Sequence, residues 1–303
     1  MSIANSSRRV YDQGQSSFTS FCFNLQIQSY PLTQHNLCLF TTYLARSLSY
    51  STIRTYLAAV RFRNIELGFY SNFEPMQNLQ MLLRGIKRVK GVSQRPSRLP
   101  VTLKIMKLLK LNLRKTPLCE KDKLMLWAAF TTAFFGLLRS SEFCCESKST
   151  FNPDATLLLR DVNLSDNVAK IQIKVSKADP FRNGHEVRLA ASQSSVCAFR
   201  ALSKYTTFCS CPTAPLFAFS DSTYLTRQRV TKTLQSLLGP SFPDVDRYSS
   251  HSFRIGGATS AAAADLPDWL IKNLGRWSSN CYERYIRNPT NIIDTVPYIL
   301  SHR

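Results

Sequence analysis

"ATLLLRDVNLSDNVAKIQIKVSKADPFRNGHEVRL" occupies residues 155–189 of the 303-residue chain, and its period decides the fold class. Ala169, Ile171, Ile173 and Val175 alternate with Lys170, Gln172 and Lys174, the two-residue period of a half-buried strand. "SDN" marks a turn before that strand and "ADPFRNG" a turn after it, and Glu186 to Leu189 reads as a further short strand. The flanking sequence has the helical period. Upstream, "KDKLMLWAAFTTAFFGLLRSSEFC" carries an almost wholly apolar run from Leu124 to Leu138. Downstream, helices are expected from about Ser195, again from Thr226, and on to the C-terminus. The fold class is therefore mainly α with one small antiparallel sheet, an α+β domain.

Ahead of it, residues 16 to about 90 read as helices. "LTQHNLCLFTTYLARSL" has Thr33 as N-cap, and "YSTIRTYLAAVRFRNIELGF" has Ser51 as cap, Ile53, Tyr56, Leu57 and Val60 on one face, and Gly68 as stop. "NLQMLLRGIKRVKG" is a third amphipathic helix. "GVSQRPSRLP" breaks the pattern with Gly, Pro and Arg. The expected organisation is a helical domain over 1–90, a basic linker over 91–100 and a larger domain over 101–303.

Thirty-nine Lys and Arg against nineteen Asp and Glu give a net charge of +20. Residues 1–100 hold twelve basic and three acidic residues, +9, leaving +11 for the rest. A surplus spread over both parts fits a protein that embraces a polyanion, double-stranded DNA before a membrane surface. Arg54, Arg61, Arg84, Lys87, Arg88, Arg95 and Arg98 are the candidate phosphate contacts; any one alone reads equally as a solvated helix face. No apolar run reaches the ~20 residues of a membrane span. The nine cysteines are irregularly spaced without a C-x-x-C pair, the usage of reduced thiols in an intracellular protein. No metal or cofactor site is expected.

Arg139, at the end of the Leu124–Leu138 run, needs a partner for its buried guanidinium, and Glu142 stands at i+3. The pair reads as structural or functional alike. His251 and Arg254 open a later helix with Ser250 as expected N-cap, where amide groups and the dipole favour an anion. The small residues of "IGGATSAAAA" behind them allow another helix to approach closely. Lys177 enters the "ADPFRNG" hairpin, with Lys174 as second choice. Trp277 follows a helix that starts near Asp265 and Pro267 and stops near Gly275. Tyr282 and Tyr285 lie on a last short helix.

The order Arg139, Lys177, His251, Arg254, Trp277, Tyr285, in "GLLRSSE", a hairpin Lys, "HSFR", "GRW" and "YERYIR", resembles the catalytic set of the tyrosine recombinase (phage-integrase-like) family. "SKADPFRNG" and "LGRWSSNCYERYI" look most similar to the recombinases of eukaryotic mobile elements, of DIRS-type retrotransposon or Crypton kind. The resemblance implies a helical core-binding domain joined to a catalytic domain, closing on DNA as a clamp. It implies attack by Tyr285 on a phosphodiester, giving a 3′-phosphotyrosine and a free 5′-hydroxyl, without metal or ATP. Arg139 and Arg254 would hold the phosphate, Lys177 protonate the leaving oxygen, His251 balance protons, Trp277 brace the pocket and Glu142 position Arg139. It further implies dimers or tetramers on DNA, no membrane, and a nuclear location in a eukaryotic cell. Two departures stand out: Trp277 replaces the more usual His, and it precedes Tyr285 by eight residues where the family commonly has nine. The alternatives are a catalytically silent DNA-binding protein and a type IB topoisomerase-like relaxing enzyme.

Overall fold

The chain divides into two compact units, Met1–Pro96 and Ser97–Arg303. The structure, a computed structural model, describes residues 5–69, 76–91, 97–145, 151–176, 179, 181–240 and 242–285, with the backbone alone for 5, 6, 281, 284 and 285. Lys177, residues 92–96 of the expected linker (Arg95 among them) and everything after Tyr285 lie outside the described residues.

The first unit is four helices: α1 (Asn5–Asn24), α2 (Gln34–Ala45), α3 (Tyr50–Glu66) and α4 (Gln77–Lys90). Its core gathers Phe18, Leu37, Phe40, Ile53, Leu57 and Val60, with the rings of Phe18 and Phe40 edge to face at 5.1 Å. Thr33 caps α2 as expected, its hydroxyl accepting from the Asn36 amide at 3.1 Å. Two expectations shift. The first helix begins at Asn5 rather than near residue 16. Its inward stripe runs Gly14, Phe18, Cys22, while Val10 is exposed, and buried Gly14 leaves no apolar signal. A Cβ there would come within 3.1 Å of the Tyr56 backbone, so α1 and α3 touch through bare backbone. The cap of α3 is Ser49, not Ser51: Ser49 is extended and accepts from the Thr52 amide, while Ser51 already lies in the first turn. On α4 only Leu79 is fully buried, so Arg84, Lys87 and Arg88 stand in solvent.

The second unit opens with α5 (Leu103–Arg114), α6 (Glu120–Phe135) and the single turn α7 (Ser140–Phe143). α6 is buried almost all round, from Met125 through Phe134, which makes it the central helix of this core. The sheet follows as β1 (Val162–Ser165), β2 (Val168–Ile173) and β3 (His185–Ala190), antiparallel in that order. Ser165 pairs with Val168 across a tight turn in which Asp166 and Asn167 both have positive φ, 49° and 60°. Asn and Asp tolerate that conformation, and such turns match the twist of hairpin strands. Ala169, Ile171 and Ile173 face the core together with Val187 and Leu189. The alternation expected from the sequence is therefore met, although Val175 lies beyond the strand.

The described residues continue with α8 (Ala198–Thr206), α9 (Arg227–Leu238), α10 (Ser252–Ala263), α11 (Asp268–Leu274) and a 3₁₀ turn over Asn280–Tyr285. Among the described residues no helix is long and apolar enough to cross a membrane.

Candidate active site

α6 ends at Gly136 and the chain reverses through Leu137, at φ 46°. Leu137 and Leu138 are both buried, and that anchorage delivers Arg139 as the residue preceding α7. Only 17% of the Arg139 side chain is exposed, and its Nη1 donates to Glu142 Oε1 and to Ser176 Oγ, both at 2.9 Å. The Arg139 amide donates to Glu142 Oε2 at 2.9 Å, and Ser176 Oγ donates to Oε1 at 2.8 Å. A second cation completes the set: Arg276 Nη2 donates to Glu142 Oε2 at 2.7 Å. Burial opposes the charge on Glu142. Arg276, the Arg139 amide, Ser176 and the Arg139 guanidinium outweigh it and hold the carboxyl below its ordinary range.

α10 packs against this corner through its glycines. A Cβ on Gly256 would sit 1.9 Å from the Val101 carbonyl oxygen, and one on Gly257 would sit 2.3 Å from that of Phe134. The close approach expected of "IGGATS" is thus real, and it carries Arg254 inward. Arg254 is fully buried; Nη1 donates to the Leu137 carbonyl and Nη2 to that of Gly275 at 2.6 Å. Its guanidinium lies 4.1 Å from the centroid of the Trp277 ring. Trp277 is itself buried, against Tyr282 at 6.2 Å between centroids. The indole occupies the space a side chain at residue 275 would need, since a Cβ there would fall 1.7 Å from it.

Beside this layer opens a cleft of about 850 Å³, lined by Arg139, Ser140, Thr226, Arg227, Thr231 and His251 among others. Thr226 caps α9, accepting from the Arg229 amide at 3.2 Å, and its neighbour Arg227 faces the cleft. His251 stands at the head of α10. The expected cap Ser250 does not cap that helix: its hydroxyl pairs with Ser140 Oγ at 2.8 Å, tying the start of α10 to α7. Burial, then the charges of Arg254, Arg98, Arg227 and Arg139, push His251 down to about 4. The imidazole is therefore neutral at pH 7 within a strongly positive cleft, and can accept a proton. Cys144 and Cys145 also line the cleft, but burial pushes both thiols up, Cys145 to about 11. Protonated thiols are poor nucleophiles.

The His251 shift has a measurable consequence. Its folded value lies below the ordinary 6.5, so between pH 6.5 and 4 the unfolded chain binds a proton that the folded chain does not. Stability is fully present above that window and falls as pH drops through it, by at most roughly 3 kcal/mol. His251→Gln should flatten the profile of melting temperature against pH there. Glu142, held below 4.5, acts from the foot of that window downward, and His185, also lowered from 6.5, shares the upper part of the window in wild type and variant alike. An identical slope in the variant would overturn the reading of His251 as a buried neutral imidazole.

The structure brings Arg139 and His251 to one cleft, with Glu142 fully buried behind Arg139, and buries Arg254 and Trp277. Arg254 is not among the residues that line the cleft, although its charge is the foremost of those acting on His251. His251 precedes the helix proper, while the approach of Leu137 and Gly275 draws the Arg254 guanidinium inward. Tyr285 ends the last 3₁₀ turn. Lys174 is tied to Asp161 Oδ2 at 2.6 Å and to the Pro153 carbonyl at 2.7 Å. Arg54, Arg84, Lys87, Arg88 and Arg98 are exposed and Arg61 is half-buried. Sequence reasoning missed Arg227 and Arg276. A signal for Arg276 existed, because it, not Trp277, precedes Tyr285 by nine residues. Arg227 could have been sought in the turn after Thr226, the expected helix start. Among the described residues no group of three or more His, Cys, Asp or Glu could hold a metal ion.

No family model matches the chain. Its sequence is similar to the integrase/recombinase XerD homolog of Selenomonas ruminantium, 24% identical over 298 residues, covering 94% of this chain and 82% of the relative. The fold is similar to that of the Tn1549 transposon integrase in complex with transposon right-end DNA, at TM-score 0.64 and 11% identity over 99% of this chain and 94% of that one. It is also similar to a lambda integrase dimer bound to a COC′ core site, at TM-score 0.59 and 12% identity over 94% and 90% of the two chains. For the XerH site-specific recombinase bound to palindromic difH substrate the values are 0.58 and 13%, over 94% and 76%. The mainly helical fold with one small antiparallel sheet is the fold of these recombinases.

Proposed function

We propose that this chain is a site-specific tyrosine recombinase that cuts and rejoins duplex DNA through a phosphotyrosine intermediate. The observation that carries the reading is the cleft in which Arg139, Arg227 and neutral His251 converge, in the same unit as Tyr285. A phosphodiester is the anion such a site suits, since guanidinium groups match its oxygens with paired donors. Tyr285 Oη attacks phosphorus as its phenolic proton passes to neutral His251, the bond from phosphorus to the 5′-oxygen breaks, and that oxygen leaves with a proton. The bond is conserved as a 3′-phosphotyrosine, so rejoining needs no ATP. Arg139 holds the oxygens on which charge grows; Lys177 supplies the leaving-group proton. Arg254 acts from below, locking the turns at Leu137 and Gly275 and adding positive potential, with Trp277 bracing it. Chemistry of this kind needs no metal.

Both units contribute phosphate contacts in this reading, and subunits pair on DNA. We further assign the chain to the recombinases of eukaryotic mobile elements, from "SKADPFRNG" and "LGRWSSNCYERYI", and hence to the nucleus.

The decisive experiment incubates the protein, in EDTA, with nicked suicide duplexes carrying a randomised core. A protease-sensitive protein–DNA adduct is expected, and sequencing the trapped DNA reads the target. Tight binding of the library without any adduct would leave a silent DNA-binding protein instead.

Binding should depend steeply on salt. Log affinity falls by about 0.9 per phosphate neutralised for each unit of log salt, so Arg84→Ala, Lys87→Ala and Arg88→Ala together should make the slope shallower by up to about 2.7. An unchanged slope would mean that α4 does not touch DNA.

A further inference from the structure

Glu142 is one buried carboxylate between two guanidinium groups. Arg276 takes Oε2 and Arg139 takes Oε1 through Nη1. Arg276 stands at φ 55° just past α11, and its side chain is 7% exposed. It also donates to the carbonyls of Gly136 at 3.1 Å and Leu137 at 3.2 Å, in the turn that leads to Arg139. One residue thus ties the turn before Arg139 to the segment that leads to Tyr285.

The charges sum to +1: two guanidinium groups and one carboxylate. Arg276 holds half of Glu142, so Arg139 spends one nitrogen on it. A carboxylate facing a single guanidinium instead favours the paired, bidentate geometry, which consumes two donors and cancels the charge.

We propose that Arg276 is a positioning residue: by engaging one oxygen of Glu142 it leaves the Arg139 charge only partly compensated and aimed into the cleft. The inference deepens the recombinase reading and rests on it for its effect on rate.

The full chain is compared as wild type, Arg276→Met, Arg276→Lys and the Glu142→Gln/Arg276→Met double variant, each first shown to melt cooperatively. Single-turnover adduct formation at saturating DNA is the readout. Arg276→Met should slow it about 100-fold, as loss of an electrostatic donor does, with duplex affinity within about threefold. Removing the masking carboxylate should then restore rate: the double variant is expected about tenfold faster than Arg276→Met, a coupling of the size found within shared networks. A purely structural role predicts the opposite, because the second substitution only adds damage. A double variant no faster than Arg276→Met overturns the proposal. If Arg276→Met does not fold, Arg276→Lys, which keeps the charge, should stay within about tenfold of wild type, and a larger loss than that overturns it. If wild type forms no adduct, the recombinase reading fails and the pairing is read from inorganic phosphate. Affinity should then fall in Arg276→Met and recover in the double variant; equal affinities overturn the inference.

Discussion

Tyr285→Phe should yield no covalent adduct on a nicked suicide duplex, while wild type yields one and Tyr282→Phe retains it. The two phenols lie three residues apart, and sequence alone leaves both open. The structure describes the side chain of Tyr282, which is held away from solvent. The Tyr282 ring is 5% exposed, packed with Leu137, Ala258, Ile271 and Trp277. A nucleophile must come within about 3–3.5 Å of phosphorus, and a ring wedged into an apolar cluster would have to leave it first. Tyr282→Phe keeps that ring in place and removes only the hydroxyl. Its cost should be small, whereas Tyr285→Phe deletes the attacking atom and leaves DNA affinity intact. An adduct that persists in Tyr285→Phe and vanishes in Tyr282→Phe would transfer the role.

Glu142→Ala should destabilise the larger unit by about 3–5 kcal/mol, the cost of breaking a buried ion pair from one side. The carboxylate is fully buried and serves the Arg139 amide, the Arg139 and Arg276 guanidinium groups and the Ser176 hydroxyl. Alanine removes every acceptor and leaves two cations with their charge uncompensated. Glu142→Gln keeps one acceptor oxygen and should lose less. Urea unfolding at neutral pH measures the difference, followed by a probe in the larger unit such as Trp277 fluorescence. A midpoint for Glu142→Ala within error of wild type would mean that the network contributes nothing to stability, and the account of Arg276 would lose its foundation.

The sequence by itself determined whatever depends on short-range spacing. Alternation at Ala169, Ile171 and Ile173 set a strand, with "SDN" as its turn, because successive strand side chains point to opposite faces. The run ending at Leu138 set a buried helix and therefore an Arg in need of a carboxylate three residues on, which Glu142 supplies. Thr33 set a cap. Small residues at 256 and 257 set a close helix contact. Where two neighbours offer the same chemistry, local pattern stopped short: Ser49 rather than Ser51 caps α3, and Ser250 binds Ser140 instead of capping α10. Only the tertiary structure decided which arginines face the cleft. Arg254 turns inward because it meets the carbonyl of Leu137, 117 residues away, and that of Gly275, 21 residues away. Arg276 reaches Glu142 across 134 residues, and Arg227 enters the cleft on the first turn of α9. Helical spacing places a guanidinium on a face. What it binds is set by the carbonyl or carboxylate that a distant segment brings there, and no local pattern encodes that meeting.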